Sequence, residues 1–221
     1  MIGLIHQSPL VGAALLAASL NLAQSPPQEP GPFRQPDLVE LVKLDPTITL
    51  DIRYATKNNF LGRPVYKQAR AFLQRPAAEA LVRVNTALKE KGYGILVFDG
   101  YRPWSVTKIF WDHTPKEQKS YVADPAVGSR HNRGCAVDLT LLDLKTGQAV
   151  PMPSAYDEMT ERSHADYACS TPEATYLRDL LIAAMRAEGF TVFATEWWHY
   201  DYKDWREYAI LDVSFSGIGG P

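Results

Sequence analysis

Residues 136–150 read AVDLTLLDLKTGQAV, and this stretch decides what kind of sheet the chain can form. The apolar segment 136–142 and the short segment 148–150 flank a polar, turn-like sequence that ends at Gly147. Two strand-like segments separated by a few residues that include glycine are typical of a β-hairpin. Because the strands of a hairpin run antiparallel, the sequence predicts an antiparallel sheet at this point.

Amphipathic helices are predicted on both sides of the hairpin. Residues 76–91 begin with Pro76, which suits the first helical position, and Gly92 can end the helix. Their apolar side chains recur at spacings of four, three and four residues, which places them on one helical face: Ala77, Leu81, Val84 and Leu88. Residues 173–188 follow a candidate N-cap, Thr171, and precede a glycine that suits the C′ position.

The remaining strand-like segments do not alternate regularly with helices. Residues 94–98 and 191–194 read as strands, and residues 37–44 and 49–54 favour short β segments. This order does not fit a parallel β-α-β architecture. The sequence therefore predicts an α+β fold, a single domain with a small, mainly antiparallel sheet and flanking helices.

Composition excludes several classes of protein. The chain has 221 residues, with 23 Lys and Arg against 25 Asp and Glu, so it lacks the basic excess of a nucleic-acid-binding protein. No apolar run reaches the roughly 18–20 residues of a membrane span. The two cysteines, Cys135 and Cys169, are too few for a disulfide scaffold. We expect two buried free thiols, and the alternative is a disulfide between them.

The N-terminus has the layout of an exported protein. Residues 10–20 (LVGAALLAASL) form a short apolar run ahead of small residues, which predicts a signal peptide over residues 1–23. A Pro-rich linker, residues 24–36, then leads to one domain, residues 37–221. The predicted location is periplasmic or secreted. The alternative is cytoplasmic, because no Lys or Arg precedes the apolar run.

Two polar motifs contain candidate metal ligands. His131 and Asp138 lie in SRHNRGCAVD, and His199 follows Glu196 in EWWHY. Two histidines and one carboxylate suit a catalytic zinc ion, which keeps a fourth position open for water. An acidic residue beside a ligand can then take a proton from that water. The alternative is a purely structural His–Asp hydrogen bond.

The spacing within the motifs constrains where these residues lie. His131 and Asp138 are seven residues apart and would face opposite sides of a flat strand, so we expect His131 on the loop before Gly134. Glu196 and His199 are three apart, so the chain must bend for both to face one site. Such a bend is not an HExxH helix, which the sequence lacks.

Five motifs occur in order between Tyr54 and Tyr200, over most of the predicted domain. Together they resemble the zinc D-alanyl-D-alanine dipeptidases known from vancomycin-resistance systems and their chromosomal relatives. SxHxxGxAxD and ExxH are shared with a wider D,D-carboxypeptidase group, whereas the other three narrow the resemblance to the dipeptidases. The motifs are YATKNNFLG (54–62), DGYRP (99–103), SRHNRGCAVD (129–138), DEMTERSH (157–164), which ends in ERSH, and EWWHY (196–200).

The resemblance implies a function for each matching residue. It implies one zinc ion held by His131, Asp138 and His199, with Glu196 as general base and then general acid. It also implies that Arg102, just after the 94–98 strand, stabilises the oxyanion of the tetrahedral state; on position alone Arg102 could equally form a surface salt bridge.

The resemblance further implies how a small dipeptide binds. Ser129, Tyr54 and Asp157 fall where the family holds the free ammonium end, and a carboxylate suits that charge. The implied reaction is hydrolysis of D-Ala-D-Ala to two D-alanines. One alternative is a zinc D,D-carboxypeptidase acting on longer peptidoglycan stem peptides. Another is a non-catalytic, zinc-bearing, cell-wall-binding module.

Overall fold

The computed structural model describes residues 25–168 and 171–219. The predicted signal peptide, residues 1–23, lies outside these ranges, as does Cys169. Cys135 is buried and is not part of a disulfide among the described residues. No helix in the described part of the chain has the length and hydropathy needed to cross a membrane.

A six-stranded sheet forms the centre of the molecule. Its strand order is β2-β4-β5-β8-β7, with β6 paired to β5, and only the β2–β4 pairing is parallel. A separate antiparallel pair joins β1 to β3. The predicted α+β class and mainly antiparallel sheet are confirmed, and so is the β5–β6 hairpin. The strands are β1 Leu38–Glu40, β2 Thr49–Leu50, β3 Phe72–Gln74, β4 Tyr93–Asp99, β5 Ala136–Asp143, β6 Gln148–Ala149, β7 Phe190–Phe193 and β8 Glu196–Tyr202.

Both predicted helices are present. The helix α2 spans Arg75–Lys89, and α4 spans Pro172–Ala187. The Thr171 hydroxyl caps α4 by accepting the N–H of Ala174 at 3.1 Å, as the sequence predicted. The helix α3, Trp104–His113, was not predicted.

Two β predictions near the N-terminus are wrong in part. Residues 37–44 contain β1, but Leu41–Leu44 forms a short helix, α1, because the turn places Leu41 in the core. Residues 49–54 contain β2, after which the chain turns at Arg53–Ala55. That turn buries Tyr54, so local β propensity yields to long-range packing.

The sheet has one face against the helices and one face toward a cavity. The side chains of α2 that were predicted to face the core are fully buried, and α2 and α4 both pack against the sheet. Alternate residues of β5 (Val137, Leu139 and Leu141) belong to this core. Because successive strand residues face opposite sides, Asp138 lies on the other face.

The segment 25–36 contacts the domain. Arg34 donates its backbone N–H to the carbonyl of Glu207 at 2.8 Å, and Glu29 forms an ion pair with Arg133. The division into linker and domain stays a prediction, but the described residues of this linker lie against the domain surface.

Candidate metal and substrate site

Three different elements bring His131, Asp138 and His199 together. His131 begins a single 3₁₀ turn, His131–Arg133, which ends at Gly134 in the left-handed conformation. Asp138 lies on β5 directly opposite His199 on β8. His131 thus lies on a loop before the strand that carries Asp138, as the spacing predicted.

The ligand-type atoms of these residues form a tight triangle. Oδ1 of Asp138 lies 3.2 Å from Nε2 of His131 and 3.1 Å from Nδ1 of His199. The two ring nitrogens are 3.1 Å apart. All three side chains are buried, and the set could hold a metal ion.

Hydrogen bonds behind the rings orient their lone pairs into the triangle. Nδ1 of His131 lies 2.7 Å from the carbonyl of Gly100, and Nε2 of His199 lies 2.9 Å from Oδ1 of Asp201. Each outer nitrogen faces an acceptor and therefore carries the proton, which leaves the inner nitrogen as a ligand. Oδ1 of Asp138 is buried and accepts no hydrogen bond from the described residues. Three converging electron-pair donors, one of them orphaned, fit a cation such as zinc.

The charges around the triangle are strongly coupled. Burial acts to raise the pKa of Asp138, but the two imidazoles overcome it and hold that pKa below its usual value. Burial acts to lower the pKa of His199, but Asp138 and Asp201 raise it to about 10. A proton on His199 and a metal ion therefore compete for the same nitrogen, which makes metal affinity dependent on pH.

A bulge in β8 brings Glu196 to the triangle. Val192 pairs with Tyr200, but the next residue of β7, Phe193, pairs with Glu196. This irregularity is the bend expected from the three-residue spacing, and it places Oε2 of Glu196 3.8 Å from Nδ1 of His199. Burial raises the pKa of Glu196 to about 7 although His199 and Arg102 oppose the shift. A carboxyl group with this pKa can both accept and donate a proton near neutral pH.

Arg102 reaches the same centre from the end of β4. Its Nε and Nη2 atoms donate to Oδ2 of Asp99 at 2.9 and 2.8 Å, and Nη2 lies 3.7 Å from Oδ2 of Asp138. The guanidinium also packs over the ring of Phe110 at 4.6 Å. It is buried, so the surface salt bridge considered from position alone is wrong.

A pair of tyrosines connects the triangle to Asp157. The Tyr54 hydroxyl lies 2.9 and 3.0 Å from the two carboxyl oxygens of Asp157. The Tyr156 hydroxyl donates to Oδ2 of Asp138 at 2.9 Å and lies 3.3 Å from the Tyr54 hydroxyl. Burial, and then the charge of Asp138, raises the pKa of Asp157 to about 8. The backbone of Asp157 has φ 62°, a conformation that its side-chain hydrogen bonds help to hold.

One cavity of about 330 Å³ unites the predicted site, and we call it the site cavity. Its volume lies at the small end of the range for ligand pockets. Ser129 belongs to its wall, and the hydroxyl of Ser129 accepts the N–H of His131 at 3.2 Å. Of the other histidines in the described chain, His113 is exposed and His164 does not line the cavity. The eight predicted residues that line it are Tyr54, Arg102, Ser129, His131, Asp138, Asp157, Glu196 and His199.

Comparison with known proteins identifies the family. The family model described as D-Ala-D-Ala dipeptidase matches residues 34–215. The chain belongs to the D-Ala-D-Ala dipeptidase family. It is 37% identical to the D-alanyl-D-alanine dipeptidase of Escherichia coli (strain K12), over 84% of this chain and 94% of the relative. It is 39% identical to that of Enterococcus faecium, over 70% and 85%, and 35% identical to that of Streptomyces coelicolor, over 71% and 87%.

Among solved structures, the LdcB LD-carboxypeptidase aligns over 78% of this chain and 71% of its own, at 20% identity and a TM-score of 0.46. This structural similarity adds no conclusion to those that follow from the sequence relatives. The family match extends over both strands that contribute to the triangle and over the whole wall of the site cavity.

Within this dipeptidase-family fold, sequence reasoning missed two polar contacts. Asp201 holds the ring of His199, and strand periodicity could have found it, because residues two apart on β8 share a face. Tyr156 is not among the predicted site residues, yet its ring packs on that of Phe98 at 4.5 Å and its hydroxyl donates to Asp138. Its hydrogen bond spans 18 residues of sequence, and no spacing rule indicates it.

Proposed function

We propose that this chain is a zinc dipeptidase that hydrolyses D-Ala-D-Ala to two D-alanines. The observation that supports this most is the combination, in one cavity, of a His–His–Asp triangle, the proton-accepting carboxyl of Glu196 and a second, half-buried carboxyl, that of Asp157. Membership of the dipeptidase family supports the same reaction and substrate.

In this proposal His131, Asp138 and His199 hold one zinc ion. The ion supplies a Lewis acid that polarises the scissile carbonyl and acidifies water. The carbonyl of Gly100 and the carboxylate of Asp201 hold the two imidazoles in the tautomers that binding requires.

Glu196 moves the proton in the proposed reaction. Its carboxylate accepts a proton from the attacking water and donates it to the nitrogen of the scissile bond. The C–N bond can then break with the nitrogen leaving as a neutral amine and not as an anion. A pKa near 7 suits both directions of transfer. Arg102, fixed by Asp99, donates to the substrate oxygen as it gains negative charge.

The free ammonium of the dipeptide binds at Asp157 in the proposal. Its carboxyl is oriented by Tyr54, lies within the site cavity and has no arginine or lysine within ion-pair distance among the described residues. Ser129, which also lines the site cavity, contributes its hydroxyl. The small cavity and the required ammonium together favour free dipeptides over acylated peptides.

The test is hydrolysis of D-Ala-D-Ala, L-Ala-L-Ala and N-acetyl-D-Ala-D-Ala by purified protein, with and without a chelator. We expect cleavage of the free D,D-dipeptide alone, lost on chelation and restored by zinc. Rapid cleavage of the acetylated peptide would instead favour a D,D-carboxypeptidase. Stoichiometric zinc without turnover of any of the three would favour a binding module.

We also propose that the chain is exported and acts in the periplasm or outside the cell, in dipeptide salvage or wall turnover. The support is the sequence of residues 1–23 alone. N-terminal sequencing of the protein from its native cells should find a chain that starts near residue 24. An intact Met1 on cytosolic protein would contradict export.

A further inference from the structure

A second arginine of the site cavity has no role in the proposed reaction. Among the described residues two arginines line the cavity, Arg102 and Arg130. Arg102 contacts Asp99 through two of its nitrogens and is already assigned to the substrate oxygen in the proposed reaction. The guanidinium of Arg130 makes no hydrogen bond to the described residues; its closest carboxylate is Oδ2 of Asp201, 3.5 Å from Nε. Arg130 therefore has donors to offer to a ligand.

Arg130 and Asp157 are connected to the triangle through different residues. The Arg130 guanidinium contacts the carboxylate of Asp201, which in turn accepts a hydrogen bond from the outer nitrogen of His199. Asp157 is connected to the triangle through the two tyrosines that lead to Asp138. A molecule whose central carbonyl lies at the triangle would thus have both a carboxyl group and a guanidinium in the wall around it, connected to Asp138 and to His199 respectively.

Aromatic rings hold the Arg130 guanidinium at the cavity wall. It packs over Trp205 at 4.9 Å and over Phe193 at 5.6 Å, and the Phe193 ring in turn lies 5.4 Å from that of His199. Its side chain is 37% exposed. A stacked, partly exposed guanidinium loses little conformational freedom when it binds a carboxylate.

The charge of the cavity wall indicates which ligand group needs this cation. Several carboxyl groups line the cavity, and those that are ionised repel the carboxylate of a dipeptide unless a cation faces it. The wall carboxyl groups are Asp124, Asp138, Asp157, Glu158 and Glu196. We infer that Arg130 binds the C-terminal carboxylate of the substrate and so makes the enzyme selective for a free C-terminus. This inference rests on the proposed dipeptidase function.

The family motif does not specify the residue at position 130. The pattern SxHxxGxAxD leaves the residue between Ser129 and His131 open, and here it is an arginine. The selectivity that we assign to Arg130 therefore does not follow from the motif itself.

The experiment compares two substrates, D-Ala-D-Ala and D-Ala-D-alaninamide, with wild type, Arg130→Met, Arg130→Lys and the control Arg206→Met. Arg206 packs over the same Trp205 ring at 4.0 Å but does not line the site cavity. We expect Arg130→Met to raise KM for the free dipeptide about 10- to 100-fold, the factor of one charge-assisted hydrogen bond. The amide should be little affected, and Arg130→Lys should restore part of the preference for the free acid.

A purely positioning role gives a different result. If Arg130 only supported Asp201 and His199, Arg130→Met would lower kcat and zinc content for both substrates alike, and the acid-to-amide preference would not change. That result would overturn the inference while leaving the dipeptidase proposal intact. A wild-type protein that cleaves neither compound would overturn both.

Binding without turnover gives a second readout. In a zinc-loaded Glu196→Ala background, calorimetry should show that Arg130→Met weakens D-Ala-D-Ala about 10- to 100-fold. The amide should bind both proteins equally. Equal loss for the two ligands would contradict a specific contact to the carboxylate.

Discussion

Gly134 ends the turn that carries His131, and Gly134→Ala tests how tightly that turn is specified. Its backbone is in the left-handed region, with φ 68° and ψ 25°. A Cβ at this position would lie 2.5 Å from Cδ2 of Leu38 and 3.3 Å from the backbone nitrogen of Gln74. That nitrogen cannot move freely, because it donates to the Gly134 carbonyl at 2.8 Å.

Two costs add at Gly134. The left-handed conformation costs a residue with a Cβ about 1–2 kcal/mol, and crowding in a packed region costs about 1–3 kcal/mol more. Gly147, in the β5–β6 turn, has the same φ of 68°, but a Cβ there would meet nothing within 4 Å. We therefore expect Gly134→Ala to lower the free energy of unfolding by about 2–5 kcal/mol, and Gly147→Ala by about 1–2 kcal/mol.

Equilibrium urea unfolding of the two variants and wild type measures the difference. The Gly147→Ala variant isolates the backbone cost, so the excess loss in Gly134→Ala reports the contact with β1 and β3. Equal destabilisation of the two variants would refute the packing argument. We also expect weaker zinc binding by Gly134→Ala, since the turn that it strains presents His131.

Three further outcomes are expected. Glu196→Ala should keep its zinc but lose about 10²- to 10⁴-fold in kcat. A metal-replete variant with near-normal turnover would show that Glu196 does not transfer the proton. Asp157 has a pKa of about 8 and is uncharged at lower pH, so the KM for D-Ala-D-Ala should fall as the pH rises toward 8. The Asp157→Asn variant should lose that pH dependence of KM. A variant whose pH profile matches that of wild type would contradict the ammonium contact. Tyr156→Phe removes the donor to the charged Asp138 carboxylate and should cost about 1.5–3 kcal/mol of stability in thermal unfolding, whereas no change would mean that water replaces the hydroxyl.

Much of the fold could be predicted because its signals are local. The apolar spacing in α2 and the Thr171 cap of α4 each lie within a few residues of the element that they specify. The helix α3 escaped prediction because its buried residues Val106 and Phe110 form only part of a pattern in a short, aromatic segment. The other contacts that fix this helix are tertiary, such as the packing of the Arg102 guanidinium over Phe110.

The site divides in the same way. All eight predicted residues line one cavity. They could be predicted because each motif carries its own residue types and spacing. Contacts between distant segments were beyond such reasoning: the Tyr54–Asp157 hydrogen bond joins residues 103 apart. The acceptor for His131 is a backbone carbonyl, that of Gly100, and every residue has one, so sequence gave no sign of which would be used.

The two tyrosines between Asp157 and Asp138 have a thermodynamic consequence. They place the far carboxyl and a carboxylate of the triangle in one continuous series of contacts of 2.9–3.3 Å, so a charge gained at one end alters the other. By reciprocity, whatever factor a bound dipeptide contributes to metal affinity, the metal contributes equally to dipeptide affinity. Scarcity of metal would then empty the cavity of substrate as well as halting its cleavage, and abundant dipeptide would help the protein to retain its ion.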